Sequence, residues 1–289
     1  MAGFRSVKQF AEAEENGRSL VSHYRKSFTT TVGSQFWQDT SLVAGGPVAN
    51  FYASAPLEAA TLNGLRGIFH GDDKAPAAKY LTHWGMTGSA TVMQGPHWLL
   101  DYLMFYPFVD SDDLATQEMT NVTTLPRYAD GEGVMVMPVT QSTSAGGGRF
   151  TFVYTNQDGV EKTSPVNLCN SAGNITNPGQ ITKGTVAGGA NSGSPFCELA
   201  AGDRGVRDIK SVTYSTANGG LAAFVLVKVI ANAVVAEAQV PTEVEFVTRR
   251  AGPPRIYDGA YLNVLLFSFS STSGAILSGH IRTIWDEGT

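Results

Sequence analysis

From residue 123 onward, the chain is a succession of short apolar runs separated by turn residues. Each run is about five to eight residues long, is rich in Val, Ile, Phe, Tyr and Thr, and is bounded by Gly, Asn or Asp. Runs of this length and composition are typical of antiparallel strands, because no helix-length segment lies between them. The sequence therefore predicts a mainly β protein with an antiparallel β-sandwich or barrel-like core.

Two β-hairpins are predicted where pairs of runs flank turn residues: 149–155 with 160–166, and 208–214 with 221–228. Asp158-Gly159 and Asn218-Gly219 favour tight turns, because these residues tolerate positive φ angles. Residues 123–127 predict an edge strand, since Pro126 cannot donate to a neighbouring strand. The remaining predicted strands are 133–139, 243–249, 261–270 and 276–285.

Helical signals occur only in the first part of the chain. Apolar residues spaced by three and four predict a helix that begins near Phe4 and ends at Asn16-Gly17, with a second short segment at 20–24. Residues 96–106 are apolar nearly all round, start with a proline and precede Pro107. They predict a short helix buried on most sides.

Residues 29–60 have no clear periodicity and contain Ser, Thr, Gly, Pro and scattered aromatics. A segment of this length without its own pattern is interpreted as an extended arm that contacts a partner chain. The sequence thus predicts an N-terminal helix and arm over 1–60. A mainly β domain follows over 61–289, with a Gly/Asn/Ser-rich loop at about 167–202.

The charge and hydropathy of the chain exclude several classes of partner. The 289 residues carry a net charge of −5, and the 20 Lys and Arg residues form no cluster, so we expect no nucleic-acid partner. The most apolar stretch, 221–236, is interrupted by Lys228 and is shorter than the ~20 residues of a membrane-spanning helix. Without an N-terminal apolar run, we expect a soluble protein that folds in the cytoplasm and has no membrane partner.

The chain has two cysteines, Cys169 and Cys197, which cannot form a disulfide framework. Both lie in the 167–202 loop, so a single disulfide inside that loop stays open as an alternative. Two separate thiols are preferred, because so few cysteines are typical of a protein made in a reducing cytoplasm.

Three polar clusters resemble sites without completing one. His70-Gly-Asp-Asp73 offers an imidazole and two carboxylates, but a transition metal needs three or four converging ligands, so a polar turn is preferred. Asp110-Ser-Asp-Asp113 resembles part of a calcium loop, but Asn121 occupies the position of the bidentate Glu. An acidic turn that caps a following helical segment is expected there. The alternating charges of 202–208 predict a local ion-pair turn or a contact with a neighbouring subunit.

The sequence contains no nucleophile elbow, phosphate loop, zinc-protease motif or dinucleotide fingerprint. We therefore expect a protein that is not an enzyme, with no catalytic residue, no cofactor-binding residue, no metal ligand and no cofactor. The aromatic residues between 80 and 108 are interleaved with Leu and Met, so they are expected in the core or in an interface.

Several stretches, taken in order, resemble an uncharacterised set of tailed-bacteriophage virion structural proteins. They are Pro47-Val-Ala-Asn-Phe-Tyr-Ala-Ser-Ala-Pro56, Gly67-Ile-Phe-His-Gly71, Lys79-Tyr-Leu81, Asp101-Tyr-Leu103 with Tyr106-Pro-Phe108, Thr124-Leu-Pro-Arg-Tyr128 and Ile256-Tyr-Asp-Gly-Ala-Tyr-Leu262. The resemblance covers most of the chain from about residue 20 and is weakest between 140 and 200. These are packing and turn residues, so the resemblance transfers no site.

The resemblance implies a virion protein, made in the host bacterial cytoplasm, that stabilises the head shell as a capsid decoration, cement or minor capsid protein. Its implied partners are the major capsid protein, other virion proteins and further copies of itself as a homo-oligomer. A tail or head-tail connector component is the first alternative. A host-surface carbohydrate-binding β-sandwich is the second, and it would require an exposed Trp or Tyr platform beside Asp, Asn or Glu.

Overall fold

The computed structural model describes residues 4, 6–29, 36–144, 146–170, 176–184, 193–248, 252–269 and 272–287. These residues form a mainly β structure with one α-helix, three short 3-10 turns and antiparallel strands in three sheets, which confirms the predicted fold class. No sheet closes into a barrel within the described ranges. In the part of the chain that is described, no helix is both long and apolar enough to cross a membrane.

The helix is α1 (Val7–Glu15), and the 3-10 turns are Thr40–Leu42, Gly64–Arg66 and Thr91–Met93. The strands are β1 (Ser19–Ser27), β2 (Phe36–Asp39), β3 (Gly45–Gly46), β4 (Ala60–Thr61), β5 (Lys79–Gly88), β6 (Gly95–Asp110), β7 (Gln117–Glu118), β8 (Val134–Thr140), β9 (Arg149–Asn156), β10 (Glu161–Thr163), β11 (Asn167–Leu168), β12 (Val206–Thr216), β13 (Leu221–Val235), β14 (Thr242–Glu245), β15 (Arg255–Ile256), β16 (Tyr261–Ser268) and β17 (Ile276–Trp285).

The central sheet has the order β2-β16-β6-β13-β8, and β4 also pairs with β6. Its two longest strands, β6 and β13, pair antiparallel from Gly95 opposite Val235 to Asp110 opposite Leu221, with register shifts near Phe224, Val227 and Ala231. Successive residues of β16 belong to different core clusters, as Val264 and Leu265 do, because neighbouring side chains of a strand point to opposite faces. The central sheet is therefore buried on both faces.

Two further sheets pack on one face of the central sheet. The terminal sheet has the order β14-β5-β17-β1-β3, with β15 also paired to β5, and contributes Trp84 and Ile281 to the first cluster. The small sheet has the order β10-β9-β12-β7, with β11 paired to β9, and contributes Phe152 and Tyr214 to the second. Both clusters are continuous with side chains of β6 and β13, which makes the central sheet the common wall of the core.

The other face of the central sheet is covered by irregular segments from two parts of the chain. Tyr52 and Leu62 pack there beside Ile181 and Phe196, together with Trp37 of the edge strand β2. Residues 29–60 are predicted to form an extended arm, but Trp37 and Tyr52 pack against the central sheet of the same chain. Gly45 and Gly46 of this segment form β3, which pairs with β1 in the terminal sheet. The aromatic residues of this segment, which show no periodicity, thus belong to a core whose other side chains come from β6, β13 and β16.

The predicted helix over residues 96–106 is wrong, because this segment lies inside β6. β6 is flanked by β13 on one edge and by β16 and β4 on the other, and both of its faces are buried. A strand buried on both faces has apolar residues at nearly every position, so its pattern resembles that of a buried helix. The second helical segment predicted at 20–24 is also wrong, since these residues lie in β1.

The first predicted hairpin is confirmed, because β9 and β10 pair on either side of the turn at Asn156 to Gly159. The second is wrong: β12 pairs with β9 in the small sheet, whereas β13 pairs with β6 and β8 in the central sheet. Its turn leads from one sheet to the other. Residues 123–127 form no strand, and they contribute Arg127 to the interior instead.

The described parts of the 167–202 loop contact the core through isolated bridges, such as Ile181 with Val139. Residues 171–175 and 185–192 of that loop lie outside the described residues. Cys169 and Cys197 are both buried free cysteines, which confirms the prediction of two thiols. Burial raises the pKa of the Cys169 thiol to about 12, so this group stays protonated near neutral pH.

Candidate functional site

The 256–262 segment is the place where distant parts of the chain meet. Four other stretches that carry the sequence resemblance reach it through polar or aromatic contacts. The contacts are His70 Nε2 with Ala260 O at 2.9 Å, Lys79 Nζ with Asp258 Oδ1 at 3.6 Å, Asp101 Oδ1 with Tyr261 N at 3.0 Å, and the Tyr128 ring with the Tyr257 ring at 4.8 Å. Residues far apart in sequence therefore build one region, which we take as the candidate site.

A buried ion pair fixes one side of this segment. Arg127 donates from Nε and Nη2 to the two oxygens of Asp101, at 2.9 and 2.7 Å, in a bidentate arrangement. Its Nη2 also donates to Tyr102 O at 3.0 Å, and Asp101 accepts from Tyr261 N. Because both charges are buried and bonded on several sides, removing either partner leaves an uncompensated charge in the interior.

A second buried pair, His70 with Lys79, fixes the other side. Lys79 Nζ donates to His70 Nδ1 at 2.9 Å, to Gly71 O at 3.2 Å and to Asp72 O at 3.0 Å. His70 Nε2 carries its proton, since it donates to the Ala260 carbonyl. Burial and the Lys79 charge lower the pKa of His70 to about 4, and burial also lowers the pKa of Lys79.

These contacts account for the His70-Gly-Asp-Asp73 cluster as a structural turn. Both ring nitrogens of His70 are engaged in hydrogen bonds, and Asp73 Oδ1 accepts from Gly259 N at 3.1 Å. Among the described residues, no group of three or more His, Cys, Asp or Glu side chains is arranged to hold a metal ion.

The other two clusters are also turns. Asp110 Oδ1 accepts from Asp112 N at 2.9 Å and Asp113 Oδ1 from Ala115 N at 2.9 Å, but strand β7 follows instead of the expected helical segment. In the 202–208 stretch, Arg204 Nε pairs with Glu132 at 2.9 Å. Its charges thus pair with residues outside the stretch rather than only with each other.

Two cavities flank the 256–262 segment and meet at Asn63. The acidic cavity has a volume of about 600 Å³ and is lined by Asn63, Gly64, Gly67, Phe69, His70, Gly71, Asp72, Asp73 and Gly259. The asparagine cavity has a volume of about 340 Å³ and is lined by Asn50, Ala53, Ala60, Thr61, Leu62, Asn63, Arg66, Phe105 and Tyr261. Their walls come largely from residues 50–73, which we call the rim.

Gly67 allows the rim to approach the segment closely. A Cβ atom added at Gly67 would lie 2.8 Å from Leu262 N and 3.0 Å from Tyr261 Cα, which are backbone atoms that cannot move independently. The backbone of Ile68 donates to Leu262 O at 2.7 Å directly beside it. The rim thus contacts the segment by backbone as well as by side chains.

A buried carboxylate lies near the asparagine cavity. Asp39 accepts from Ser41 N at 2.8 Å, from Ser41 Oγ at 2.6 Å, from Tyr102 Oη at 2.7 Å and from the Tyr52 hydroxyl. Burial raises the pKa of Asp39, and these hydrogen bonds act against that rise. All its near neighbours are donors, so the group is satisfied within the chain.

Neither the Asp101–Arg127 pair nor the Asp39 cluster is predicted from the sequence. One signal was available: Arg127 is the only Lys or Arg between Lys79 and Arg149, and Asp101 is the only acidic residue between Asp73 and Asp110. A single charge within a long apolar stretch indicates a buried and paired group, because an unpaired one would be costly. Which two charges pair depends on strand packing, which no local pattern encodes.

Most aromatic residues between 80 and 108 are buried, in agreement with the expectation of core positions. Trp84, Tyr102 and Tyr106 are fully buried, and Trp98 is partly exposed but packs between Trp37 and Phe196. The exposed large apolar side chains of the candidate site lie instead on the rim and just before it, at Phe69, Phe51 and Val48.

Comparison with known proteins adds little to this picture. No protein-family model matches the chain, and no curated protein matches it. Among solved structures, the chain is similar to a chain in the structure of infectious bursal disease virus Gt strain, with a TM-score of 0.15 and 9% identity over 93% of this chain and 82% of that one. A likeness with so low a TM-score carries no argument about fold or function.

Proposed function

We propose that this protein is a structural component of a tailed-bacteriophage virion that binds the head shell as a decoration, cement or minor capsid protein and performs no catalysis. The sequence resemblance supplies the class of protein. The structure supports the proposal because some apolar side chains of the resembling stretches are exposed.

The observation that carries the proposal is the exposure of apolar side chains within those stretches. Phe51 and Val48, in the 47–56 stretch, are 62% and 59% exposed, and Phe69, in the 67–71 stretch, is 56% exposed. Exposed large apolar side chains indicate a surface that a partner covers when they form a patch, and aromatic residues are enriched in such surfaces. The proposal therefore requires these three side chains to belong to one such patch. The neighbouring side chains of His70 and Tyr52 are buried and form hydrogen bonds inside the protein. Phe69 and Phe51 are therefore the exposed residues of the same two stretches.

The proposal is tested by quantifying this protein in purified virions by mass spectrometry, relative to the main shell protein. A copy number in the hundreds is expected for a component that repeats with the shell symmetry. About a dozen copies or fewer would indicate a connector or tail component instead. Absence from washed particles would refute a virion role altogether, and the carbohydrate-binding alternative would then be examined with host-surface polysaccharide.

A further inference from the structure

We propose that the asparagine cavity binds an Asp or Glu side chain on an extended peptide segment of a neighbouring protein, and that this segment pairs with the open edge of β4. The inference rests on the proposed function in one respect, namely that the neighbour is another virion protein. The lining of the cavity and its hydrogen-bonding groups do not depend on the proposed function.

The cavity is lined by groups that donate hydrogen bonds. Tyr261 is fully buried, and its hydroxyl lies beside the amides of Asn50 and Asn263, which lower its pKa, while the hydroxyl itself donates to no acceptor among the described residues. Burial raises the pKa of Tyr261 to about 12, so the hydroxyl keeps its proton and can donate. The Asn50 oxygen already accepts from Tyr52 N at 3.3 Å, which leaves its amino group as the donor.

Arg66 adds a positive charge to this set. Its side chain is exposed, lines the cavity, and forms no ion pair with any carboxylate in the described ranges. The buried acid nearby, Asp39, is already surrounded by the hydroxyls of Ser41, Tyr52 and Tyr102. A guanidinium beside an amide and a phenol is suited to a carboxylate, which accepts several hydrogen bonds at once.

The apolar part of the lining suits the stem of such a side chain. Ala53, Ala60, Leu62 and Phe105 form walls beside the polar groups. A volume of about 340 Å³ exceeds that of one carboxylate group and leaves space for the backbone that carries it. A segment of chain therefore fits the cavity better than a free small acid.

The edge of β4 offers backbone groups for that segment. Leu62 N donates to Leu103 O at 2.8 Å, and Ala60 stands opposite Phe105 in the same antiparallel pairing. Because hydrogen bonding alternates along such a pair, Thr61 between them directs its N–H and C=O away from β6. Ala59, two residues earlier, already bonds the Asn121 side chain through its N–H and C=O, so the open position on this edge is Thr61. Thr61 is exposed and lines the cavity, so an extended peptide can pair with β4 there while one of its side chains enters.

The test uses two capped heptapeptides, Ac-Thr-Val-Thr-Glu-Thr-Val-Thr-NH2 and the same sequence with Gln at the centre. Binding to the full chain is measured by calorimetry and by amide shifts of the labelled protein. We expect the Glu peptide to bind roughly tenfold more tightly than the Gln peptide, as for loss of one charge-assisted contact. The largest amide shifts are expected at Thr61, Arg66 and Tyr261.

Two variants test whether the cavity causes the preference for the Glu peptide over the Gln peptide. Arg66→Gln and Tyr261→Phe are each expected to reduce the ratio of the two affinities, Arg66→Gln to about one. Arg255→Gln is the matched control, because Arg255 is also exposed but stacks on the Tyr257 ring outside the cavity. Circular dichroism verifies that each variant is folded.

Three results would overturn the inference: no binding of the Glu peptide at about 1 mM, equal affinity for both peptides, or a preference that survives Arg66→Gln. Sodium acetate that bound as tightly as the Glu peptide would refute pairing with β4. These measurements need no virion, so their failure is distinct from failure of the copy-number test.

Discussion

The interior and the outside of the candidate site use the same stretches of sequence in opposite ways. Inside, Asp101 with Arg127 and His70 with Lys79 hold the 256–262 segment through buried polar contacts. Outside, Phe51 and Phe69 of the same set of stretches are exposed and contribute little to the core. Changes inside should therefore alter the stability of the fold, whereas changes outside should alter only contacts with partners.

The largest effect is expected from breaking the buried ion pair. Asp101→Ala leaves the Arg127 guanidinium buried without its carboxylate, so we expect the free energy of unfolding to fall by about 3–5 kcal/mol. Urea denaturation followed by circular dichroism measures this loss. Glu12→Ala is the control, because the Lys8–Glu12 pair at 3.5 Å is exposed and should contribute less than about 0.5 kcal/mol. Equal effects of the two variants would contradict the distinction between inside and outside.

The fold class was predictable from sequence, but this pair was not. Strand-length runs such as that of β17 have the length and the flanking turn residues of antiparallel structure. They can be recognised from their own residues, without knowing which strands lie beside them. β6 was mistaken for a helix because burial on both faces removes the alternation that identifies a strand. The assignment of β12 and β13 to different sheets also depends on packing between sheets, and so does the pairing of Asp101 with Arg127.

A smaller effect is expected from acid, through the two buried histidines. The pKa values of His70 and His97 are lowered to about 4 in the folded protein, in both cases first by burial. The unfolded chain, with a pKa near 6.5, therefore binds more protons, and stability falls as the pH decreases from about 6.5 to 4. At 1.36 kcal/mol per pH unit, each histidine contributes at most about 3 kcal/mol to this loss.

His97 allows the acid effect to be isolated. Its Nδ1 donates to Gly95 O at 3.0 Å, and its Nε2 is buried without a hydrogen-bond partner. His97→Asn retains a donor for Gly95 but cannot be protonated, so the decrease in melting temperature between pH 6.5 and 4.5 should become shallower. An unchanged pH profile would show that His97 is not one of the titrating groups.

A still smaller change is expected where the rim meets the segment by backbone. Gly67→Ala would place a Cβ atom against the backbone of Tyr261 and Leu262, and we expect a loss of about 1–3 kcal/mol in the free energy of unfolding. Gly46→Ala is the matched control, since a Cβ atom there meets nothing within 4 Å. If both variants melt at the same temperature, the close approach at Gly67 does not constrain the site.

The smallest effect on the fold is expected from the exposed phenylalanines, and it is there that the comparison becomes a test of function. Phe51→Ser and Phe69→Ser remove apolar surface that the chain does not bury, so the free energy of unfolding should change by no more than about 0.5 kcal/mol. If a partner covers this surface, the same variants should bind roughly tenfold more weakly to particles assembled without the protein, because buried aromatic anchors dominate interface energies. Val122→Ser is the control, since Val122 is the most exposed large apolar side chain among the described residues and lies outside both cavities. Wild-type binding by both phenylalanine variants, with the fold intact, would show that these exposed side chains do not mediate binding, and the proposed function would lose its support from the structure.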